Sequence, residues 1–249
     1  MGAFRILLCV YAALVFTVCK DTHALKWTPP RYNKTVWTAF RSKELLTPYK
    51  NLTSDPYKMS HFNTTRSGVC GVEYSDGSRK SYNLRTFPDV NSVQKAGAFL
   101  THLGGCSLCS TLQDLSVYME HFNLTAPVRK CGIKGFVSKK KNMECLLQLG
   151  FTYPCATIWL DNSQNTKQKC LVPCLKDWNK PYNLPNGTLN KCLECDEEKS
   201  GPIFKKVAAR TRRDSGLESA IERPPSSIAH ILHYYYWYKL FYSFCLLPV

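Results

Sequence analysis

The sequence predicts a mainly α-helical, disulfide-stapled body with one small β-hairpin and a loop-rich N-terminal arm. Ten of the 13 cysteines fall between Cys70 and Cys195. Several segments after Asn91 repeat apolar residues at helical spacing, and one Asp-Gly turn separates two short alternating runs. The 249 residues are 44% hydrophobic and 20% charged, which excludes disordered and collagen-like classes.

Residues 1–24 have the pattern of a secretory signal peptide. Arg5 precedes the uncharged run 6–18, and a short polar stretch ends at Ala24. Cleavage is expected after Ala24, with Cys19 as the alternative, and the mature protein is expected to be secreted. Five glycosylation sequons agree with that route; their asparagines are Asn33, Asn51, Asn63, Asn123 and Asn186.

Residues 25–67 form the predicted glycosylated arm. They contain no cysteine, are rich in Pro, Tyr, Trp and Thr, and show no long periodicity. We expect the arm to pack aromatic side chains such as Trp27, Trp37 and Phe40 onto the body.

Residues 68–233 form the predicted cysteine-rich helical domain. Asp76-Gly77 lies between two short alternating runs and predicts a hairpin. Ser110 to Gln113 reads as a capping box that begins a helix with Leu112, Leu115 and Met119 on one face. The other predicted helices cover residues 92–103, 142–149, 154–160, 170–178 and 200 to about 214.

The ten body cysteines are predicted to form five structural disulfides, which stabilise by about 2 to 4 kcal/mol each. They are Cys70, Cys106, Cys109, Cys131, Cys145, Cys155, Cys170, Cys174, Cys192 and Cys195. Two C-x-x-C pairs, 106/109 and 192/195, leave a zinc site or a redox dithiol as alternatives. The long separation of the pairs disfavours zinc, so no metal and no cofactor is predicted, and the pairing stays open.

His102 and Asp114 are the candidate catalytic residues. His102 has the hydroxyls of Ser107 and Ser110 nearby in sequence, and Asp114 or Asp161 is available to orient it. The surrounding glycines and serines depart from the G-x-S-x-G pattern. A histidine that caps a helix ending at Leu103 is the favoured interpretation, so the sequence leaves open whether the protein is an enzyme.

A basic helix over residues 205–213 is the candidate anion-binding surface, with Lys205, Lys206, Arg210, Arg212 and Arg213 as its cations. The formal net charge of +15 and this clustering suit sulfated glycans, anionic lipids or an acidic protein face better than nucleic acid. A solvated helix face is the alternative. The same Arg-x-Arg-Arg run is similar to a furin-type convertase site.

Residues 234–249 form an aromatic hydrophobic tail that contains Lys239 and Cys245. The tail is predicted either to associate with a membrane or to pack on the core. Cys245 has no predicted partner in the body, so a disulfide-linked dimer is a hypothesis.

Three motifs carry a resemblance that spans about residues 71–236: HxGxCxxCSxxxDL from His102, NxCxxCDE from Asn190 and RTRRxSG from Arg210. They resemble an uncharacterised family of secreted cysteine-rich eukaryotic proteins. The resemblance implies no activity, but it implies that the arginine run belongs to the body, which disfavours convertase processing.

Taken together, the sequence predicts a secreted, glycosylated, disulfide-rich binding or interaction protein. The alternative is a small secreted enzyme, a hydrolase or a thiol-disulfide enzyme, with its site around His102 and Asp114.

Overall fold

The computed structural model describes residues 27–59 and 67–236. These ranges contain eight α-helices, a four-stranded sheet and five disulfide bonds. The predicted fold class, mainly helical and disulfide-stapled, is therefore confirmed. The predicted signal peptide, Asn63 and Cys245 lie outside the described residues.

The sheet is built around the predicted hairpin. Strands β1 (Glu44–Leu45), β2 (Val69–Tyr74), β3 (Ser81–Phe87) and β4 (Phe99–Leu103) stand in the order β1-β3-β2-β4. β2 and β3 pair antiparallel, from Val69 opposite Phe87 to Tyr74 opposite Tyr82. In the turn between them, the Asp76 carboxylate accepts a 2.7 Å hydrogen bond from the Ser78 amide, as the Asp-Gly signal implies.

The prediction of a single helix over residues 92–103 is wrong for its second half, which is a strand. Helix α2 (Val90–Lys95) begins at the N-cap Asp89 and stops after one and a half turns. Gly97 then has a φ of +67°, which residues with a side chain rarely adopt, and the chain enters β4. His102 therefore lies on a strand paired with β2 and does not cap a helix.

Three helices follow the sheet. Helix α3 (Leu112–Glu120) buries its predicted apolar face; its N-cap is Thr111, one residue after the predicted Ser110. Helix α4 (Thr125–Val137) has no counterpart among the predicted helices, because Gly132 and Gly135 weaken its helical signal. Helix α5 (Lys139–Gln148) corresponds to the predicted helix 142–149.

Helix α6 (Tyr153–Lys176) unites the two helices predicted over residues 154–160 and 170–178. Thr152 caps it, and a proline lies in its first turn, where no intrahelical N–H bond is lost. The intervening residues 161–169 are polar and have no apolar stripe, so periodicity did not predict that they are helical.

Two short helices complete the body. Helix α7 (Lys191–Lys199) begins at Asn190, and the disulfides Cys170–Cys195 and Cys174–Cys192 hold it antiparallel to α6. Helix α8 (Gly201–Ala208) ends where Ala209 takes a φ of +62°. The helix expected to continue to about residue 214 is therefore wrong in its second half; a separate 3-10 turn covers Arg213–Ser215.

The arm and the start of the tail both pack on the core. Helix α1 (Lys34–Arg41) places Phe40 in the core, fully buried, and Trp27 stacks on His230 with ring centroids 4.3 Å apart. Tyr235 is buried against Phe40, with ring centroids 5.1 Å apart. Residues 237–249 lie outside the described ranges. Within those ranges, no helix combines the length and the apolar character needed to cross a membrane.

Candidate functional site

The predicted candidate His102 sits in a closed hydrogen-bond network. Its Nδ1 lies 3.0 Å from the Leu103 carbonyl oxygen, which only accepts, so Nδ1 carries the proton. Nε2 then accepts from the Ser110 hydroxyl at 2.7 Å, and the Ser110 oxygen accepts from the Ser107 amide at 2.8 Å. The Ser-His pair has the polarity of an activated nucleophile, but both residues are fully buried and no substrate reaches them.

Asp114 belongs to a different network. Its carboxylate accepts from the Thr111 hydroxyl at 2.6 Å and from the amide and hydroxyl of Thr152 at 2.8 and 2.9 Å. Burial raises the pKa of Asp114 to about 6, although these hydrogen bonds act in the opposite direction. These bonds tie the start of α3 to the start of α6, so the carboxylate does not orient His102.

Asp161, the other acidic residue considered, lies on α6. Burial raises its pKa to about 6, and the charge of Asp55 adds to the shift. The charges that act on Asp161 belong to Asp55, Lys139 and Lys58, none of which lies on the strand that carries His102. No hydrogen bond in the networks described here joins His102 to either acidic residue.

Arg210 is fully buried and explains why the basic helix does not form as predicted. Its five N–H groups donate to the carbonyl oxygens of Cys109, Thr101 and Ser110 and to the hydroxyls of Thr101 and Ser215, at 2.8–3.1 Å. None of these acceptors is a carboxylate. Burial lowers the pKa of Arg210. The residue therefore fixes strand, loop and 3-10 turn together and presents no charge to a ligand.

A second histidine is also internal. His233 Nε2 donates to the Ser215 carbonyl at 2.7 Å, and its Nδ1 accepts from the Tyr235 hydroxyl at 3.1 Å. Burial lowers the pKa of His233 to about 3, so the ring is neutral in the folded protein at neutral pH.

All ten body cysteines form disulfides, and neither C-x-x-C pair closes on itself. Cys106 bonds Cys70, and Cys109 bonds Cys155. The second pair bonds α6, as described, and the fifth bridge is Cys131–Cys145. With every one of these sulfurs in a disulfide to a distant partner, the redox-dithiol and zinc interpretations do not describe this structure. In the described ranges, no group of His, Cys, Asp and Glu is placed to hold a metal.

A concave feature lies among α4, α6, α7, α8 and the segment 211–223. We call it the helical cleft; its volume is about 620 Å³. Proteins bind small molecules in cavities of about 300 to 1,000 Å³ with mostly apolar linings. The helical cleft is therefore large enough for a ligand.

Helices α4 and α6 form two facing walls. The apolar residues that line the cleft are Val128, Ile133 and Phe136 on α4, Leu124 just before it, and Trp159, Leu171 and Leu175 on α6. Across the walls, the Lys167 ammonium lies 4.1 Å from the Phe136 ring centroid, and the Arg129 guanidinium lies 5.4 Å from that of Trp178. These cation–π contacts set the spacing of the walls at two points.

The far wall is aromatic and acidic. Phe204 of α8 contacts Trp159, with ring centroids 4.5 Å apart. Asp196 of α7 accepts a short hydrogen bond from the Thr166 hydroxyl, and burial raises its pKa. Burial alone would raise the pKa of Glu197 too, but hydrogen bonding and charge from Lys205, with the charges of Arg223 and Arg213, outweigh burial and lower it.

The cleft has an excess of positive charge. Six basic and two acidic side chains line it; the basic ones are Arg129, Lys167, Lys205, Arg212, Arg213 and Arg223. Lys205 and Arg223 share Glu197, each at 2.7 Å. Arg212 donates to the carbonyls of Tyr118, His121 and Glu218. Arg213 forms no direct ion pair with a described residue, but its charge acts on Glu197 at longer range.

Three of the five predicted anion-binding residues, Lys205, Arg212 and Arg213, therefore line one cleft. Lys206 is exposed and lies outside it, and Arg210 is in the core. Sequence reasoning missed α4 and the apolar residues of the cleft. The detectable signal was apolar residues at helical spacing from Leu124 to Phe136 with no acidic residue between them.

Four of the predicted glycosylation sites are described, and all are exposed: Asn33, Asn51, Asn123 and Asn186. Asn123 accepts through Oδ1 from the Ala126 amide at 3.1 Å. Thr125 of the same sequon lines the cleft. Glycosylation stays a prediction, and at Asn123 it would place a sugar beside the cleft.

The five disulfides make this a disulfide-rich protein, and such a set is consistent with proteins of the extracellular type. Residues 139–231 match a family of unknown function, DUF8771. This match covers α5 to α8 and the arginine run but not the sheet or His102. No curated protein and no solved structure matches the chain.

Proposed function

We propose that the protein is an extracellular binding protein that holds an anionic amphiphile, such as a fatty acid or another single-chain lipid, in the helical cleft. The observation that carries the proposal is a cleft of about 620 Å³ with apolar walls and a net excess of basic side chains. A single-chain amphiphile has an apolar body and a charged head, and both find complementary groups here.

The apolar body of such a ligand is accommodated between α4 and α6. Ile133 and Phe136 are about half exposed, at 43% and 51%, and so is Trp178, at 44%. Covering these side chains with a hydrocarbon chain removes apolar surface from water, which stabilises by roughly 25 cal/mol per Å². The disulfide Cys174–Cys192 lies in the wall, so the shape of the cleft is fixed before a ligand arrives.

The charged head is matched by Arg213, whose guanidinium forms no direct ion pair with a described carboxylate and acts on Glu197 only at longer range. Lys205 and Arg223 already neutralise Glu197, so they orient the site more than they attract a second anion. A guanidinium binds carboxylate and phosphate groups through paired N–H donors. Arg213 therefore favours a ligand with one of these head groups.

Long polyanions fit the predicted basic segment less well. At residues 205–213, sulfated glycans or an acidic protein face would need several exposed cations in a row, whereas Lys206 alone of the five predicted residues is well exposed. The enzyme alternative also loses support, because His102 and Asp114 are fully buried in separate networks.

The first experiment titrates the secreted protein with hexadecanoate in a calorimeter. Gly132 lies in the α4 wall, and a Cβ there meets only Ser163, at 4.0 Å, so a larger side chain extends into the cleft. We expect Gly132→Trp to abolish binding, because the indole occupies the site of the hydrocarbon chain. The matched control Gly132→Ala keeps binding. Equal affinity for hexadecanoate in a folded Gly132→Trp protein contradicts the proposal.

The second experiment tests the head group. We expect Arg213→Gln to weaken hexadecanoate binding about tenfold, or about 1.4 kcal/mol, and to leave binding of neutral hexadecanol unchanged. Lys206→Gln, which removes an exposed charge outside the cleft, is the control and should bind as the wild type does. If both variants lose affinity equally, the effect is one of net charge and Arg213 has no specific role.

A further inference from the structure

The rim of the helical cleft carries an unusually apolar surface. Val137 is 79% exposed, Leu175 63%, Val172 62% and Phe136 51%. Phe136 and Leu175 line the cleft. Val137 follows Phe136 on α4, and Val172 lies one turn before Lys176 on α6, where it lines a second, smaller depression against α7. Large apolar patches on a protein surface mark sites of contact with proteins or membranes.

Basic residues predominate around these apolar side chains. The acidic residues beside Val172 are Asp177, Glu194 and Glu198, and each forms an ion pair with a lysine. Helix α4 contains Arg129, Lys130 and Lys134, and residues 166–176 of α6 contain Lys167, Lys169 and Lys176. Neither segment contains an acidic residue. Lys130, Lys134, Lys169 and Lys176 are exposed, and none of them forms an ion pair with a described residue. Apolar side chains among unpaired cations are complementary to an anionic bilayer surface.

The aromatic residues on the rim support the same partner. Phe136 and Trp178 each combine an exposed ring with a cation held over it, Lys167 and Arg129 respectively. Aromatic rings beside basic groups suit the boundary between head groups and acyl chains, where one part of the residue is apolar and the other remains hydrated.

From these observations we infer that the rim of the helical cleft, formed by α4 and the second half of α6, docks on an anionic lipid bilayer. Val137 and Val172 enter the head-group region, and the lysines contact lipid phosphates. The open side of the cleft then faces the membrane, so an amphiphile passes between bilayer and cleft without crossing water. This inference rests on the proposed function and names the source of its ligand.

The test uses the full secreted chain and two sets of vesicles, one of phosphatidylcholine and one of phosphatidylcholine with phosphatidylserine. We expect at least tenfold stronger cosedimentation with the anionic vesicles, and a fall in binding as salt is raised. Failure of the wild-type protein to sediment with anionic vesicles overturns the inference.

Two variants separate this surface from the cleft. Val137→Asp/Val172→Asp changes exposed side chains that do not line the cleft, so it should lose vesicle binding at least tenfold and keep hexadecanoate binding. The matched control is Leu46→Asp/Val90→Asp, which changes two exposed apolar residues elsewhere and the net charge by the same amount. The control should bind vesicles as the wild type does.

The outcomes are distinct for the two proposals. Unchanged vesicle binding in Val137→Asp/Val172→Asp overturns the docking surface, as does a wild-type dimer that this variant converts to a monomer, because a second copy would then cover the rim. Vesicle binding that depends on Val137 and Val172, in a protein that takes up no hexadecanoate, supports the surface and refutes the proposed cleft function.

Discussion

The two sides of the molecule use charged residues in opposite ways. On the side of the sheet, Arg210, His102 and Asp114 are fully buried and their hydrogen-bonding groups are satisfied inside the protein. On the side of the helical cleft, Arg129, Lys167 and Arg213 border a mostly apolar cavity and form no direct ion pair with a described carboxylate. The residue types that often act in catalysis are thus buried, whereas the accessible cavity is lined mainly by apolar and basic residues.

This contrast separates stability from function. A motif rich in His, Ser and Asp resembles a catalytic site in sequence, because buried polar networks and active sites use the same residue types. Only access distinguishes the two. Substitutions on the sheet side should therefore change the free energy of unfolding, whereas substitutions at the cleft should change binding.

The largest expected effect comes from Arg210→Met. The substitution leaves five buried acceptors without their donor, so we expect the free energy of unfolding to fall by more than about 3 kcal/mol. Urea unfolding, or the yield of expressed protein if the variant does not fold, measures the change. Arg213→Met is the control and should change stability by less than about 0.5 kcal/mol. Similar losses in both variants would remove the contrast between core and cleft arginines.

The next effect is the pH dependence that His233 contributes. The unfolded chain protonates this ring near pH 6.5, whereas the folded protein does so only near pH 3. The stability that the neutral ring contributes is therefore fully present above pH 6.5 and is lost as the pH falls. At pH 5 the free energy of unfolding has decreased by about 2 kcal/mol on this account. Asp114 has the opposite effect on stability. Because its pKa in the folded protein is raised, its protonation increases the free energy of unfolding as the pH falls from 6 to 3.8.

Comparison with His233→Gln isolates the histidine, because Asp114 contributes equally to both proteins. We expect the difference in unfolding free energy between wild type and variant to shrink as the pH is lowered from 7 to 5. A difference that stays constant over this range would mean that His233 is not held neutral by burial.

The smallest effect concerns two glycines on α4. Gly132→Ala should stabilise the protein by roughly 0.5 to 1 kcal/mol, because the new Cβ meets only Ser163, at 4.0 Å, and alanine is the better helix former. Gly135→Ala should instead destabilise it, because the added Cβ would lie 2.7 Å from Asn142 Nδ2 and 3.0 Å from Gln164 Nε2. The midpoints of thermal unfolding of the two variants test whether α4 has space beside it toward the cleft and close packing toward α5. Equal shifts would mean that it does not.

The features that sequence predicts best here are covalent or local. The participation of ten cysteines in disulfides follows from their even number and from their confinement to residues 70–195. The hairpin follows from Asp76-Gly77. Features that depend on contacts between distant parts of the chain were not predicted. Residues 161–169 are an example: this polar segment is helical because its side chains hydrogen-bond to residues distant in sequence, namely Tyr57, Asp196 and Ser200. Arg210 is likewise removed from the predicted basic surface by acceptors about 100 residues earlier in the chain.

The cleft was the least predictable part of the site. Its walls come from four helices and a loop, and each wall alone looks like an ordinary amphipathic segment. The cations that border it were partly predicted, since Lys205, Arg212 and Arg213 were singled out by their clustering. Their role changes once Arg210 turns inward and α8 ends at Ala208.

The packing of residues 210–213 also decides when a convertase can recognise the Arg-x-Arg-Arg run. A protease of this kind must draw the segment into its own site in an extended form, with the arginine side chains free. Here Arg210 is anchored in the core, and Arg212 is bound to three backbone carbonyls. A convertase can bind this segment only when the domain is unfolded. A chain cleaved after Arg213 would therefore indicate that the domain was not folded when the protease cleaved it.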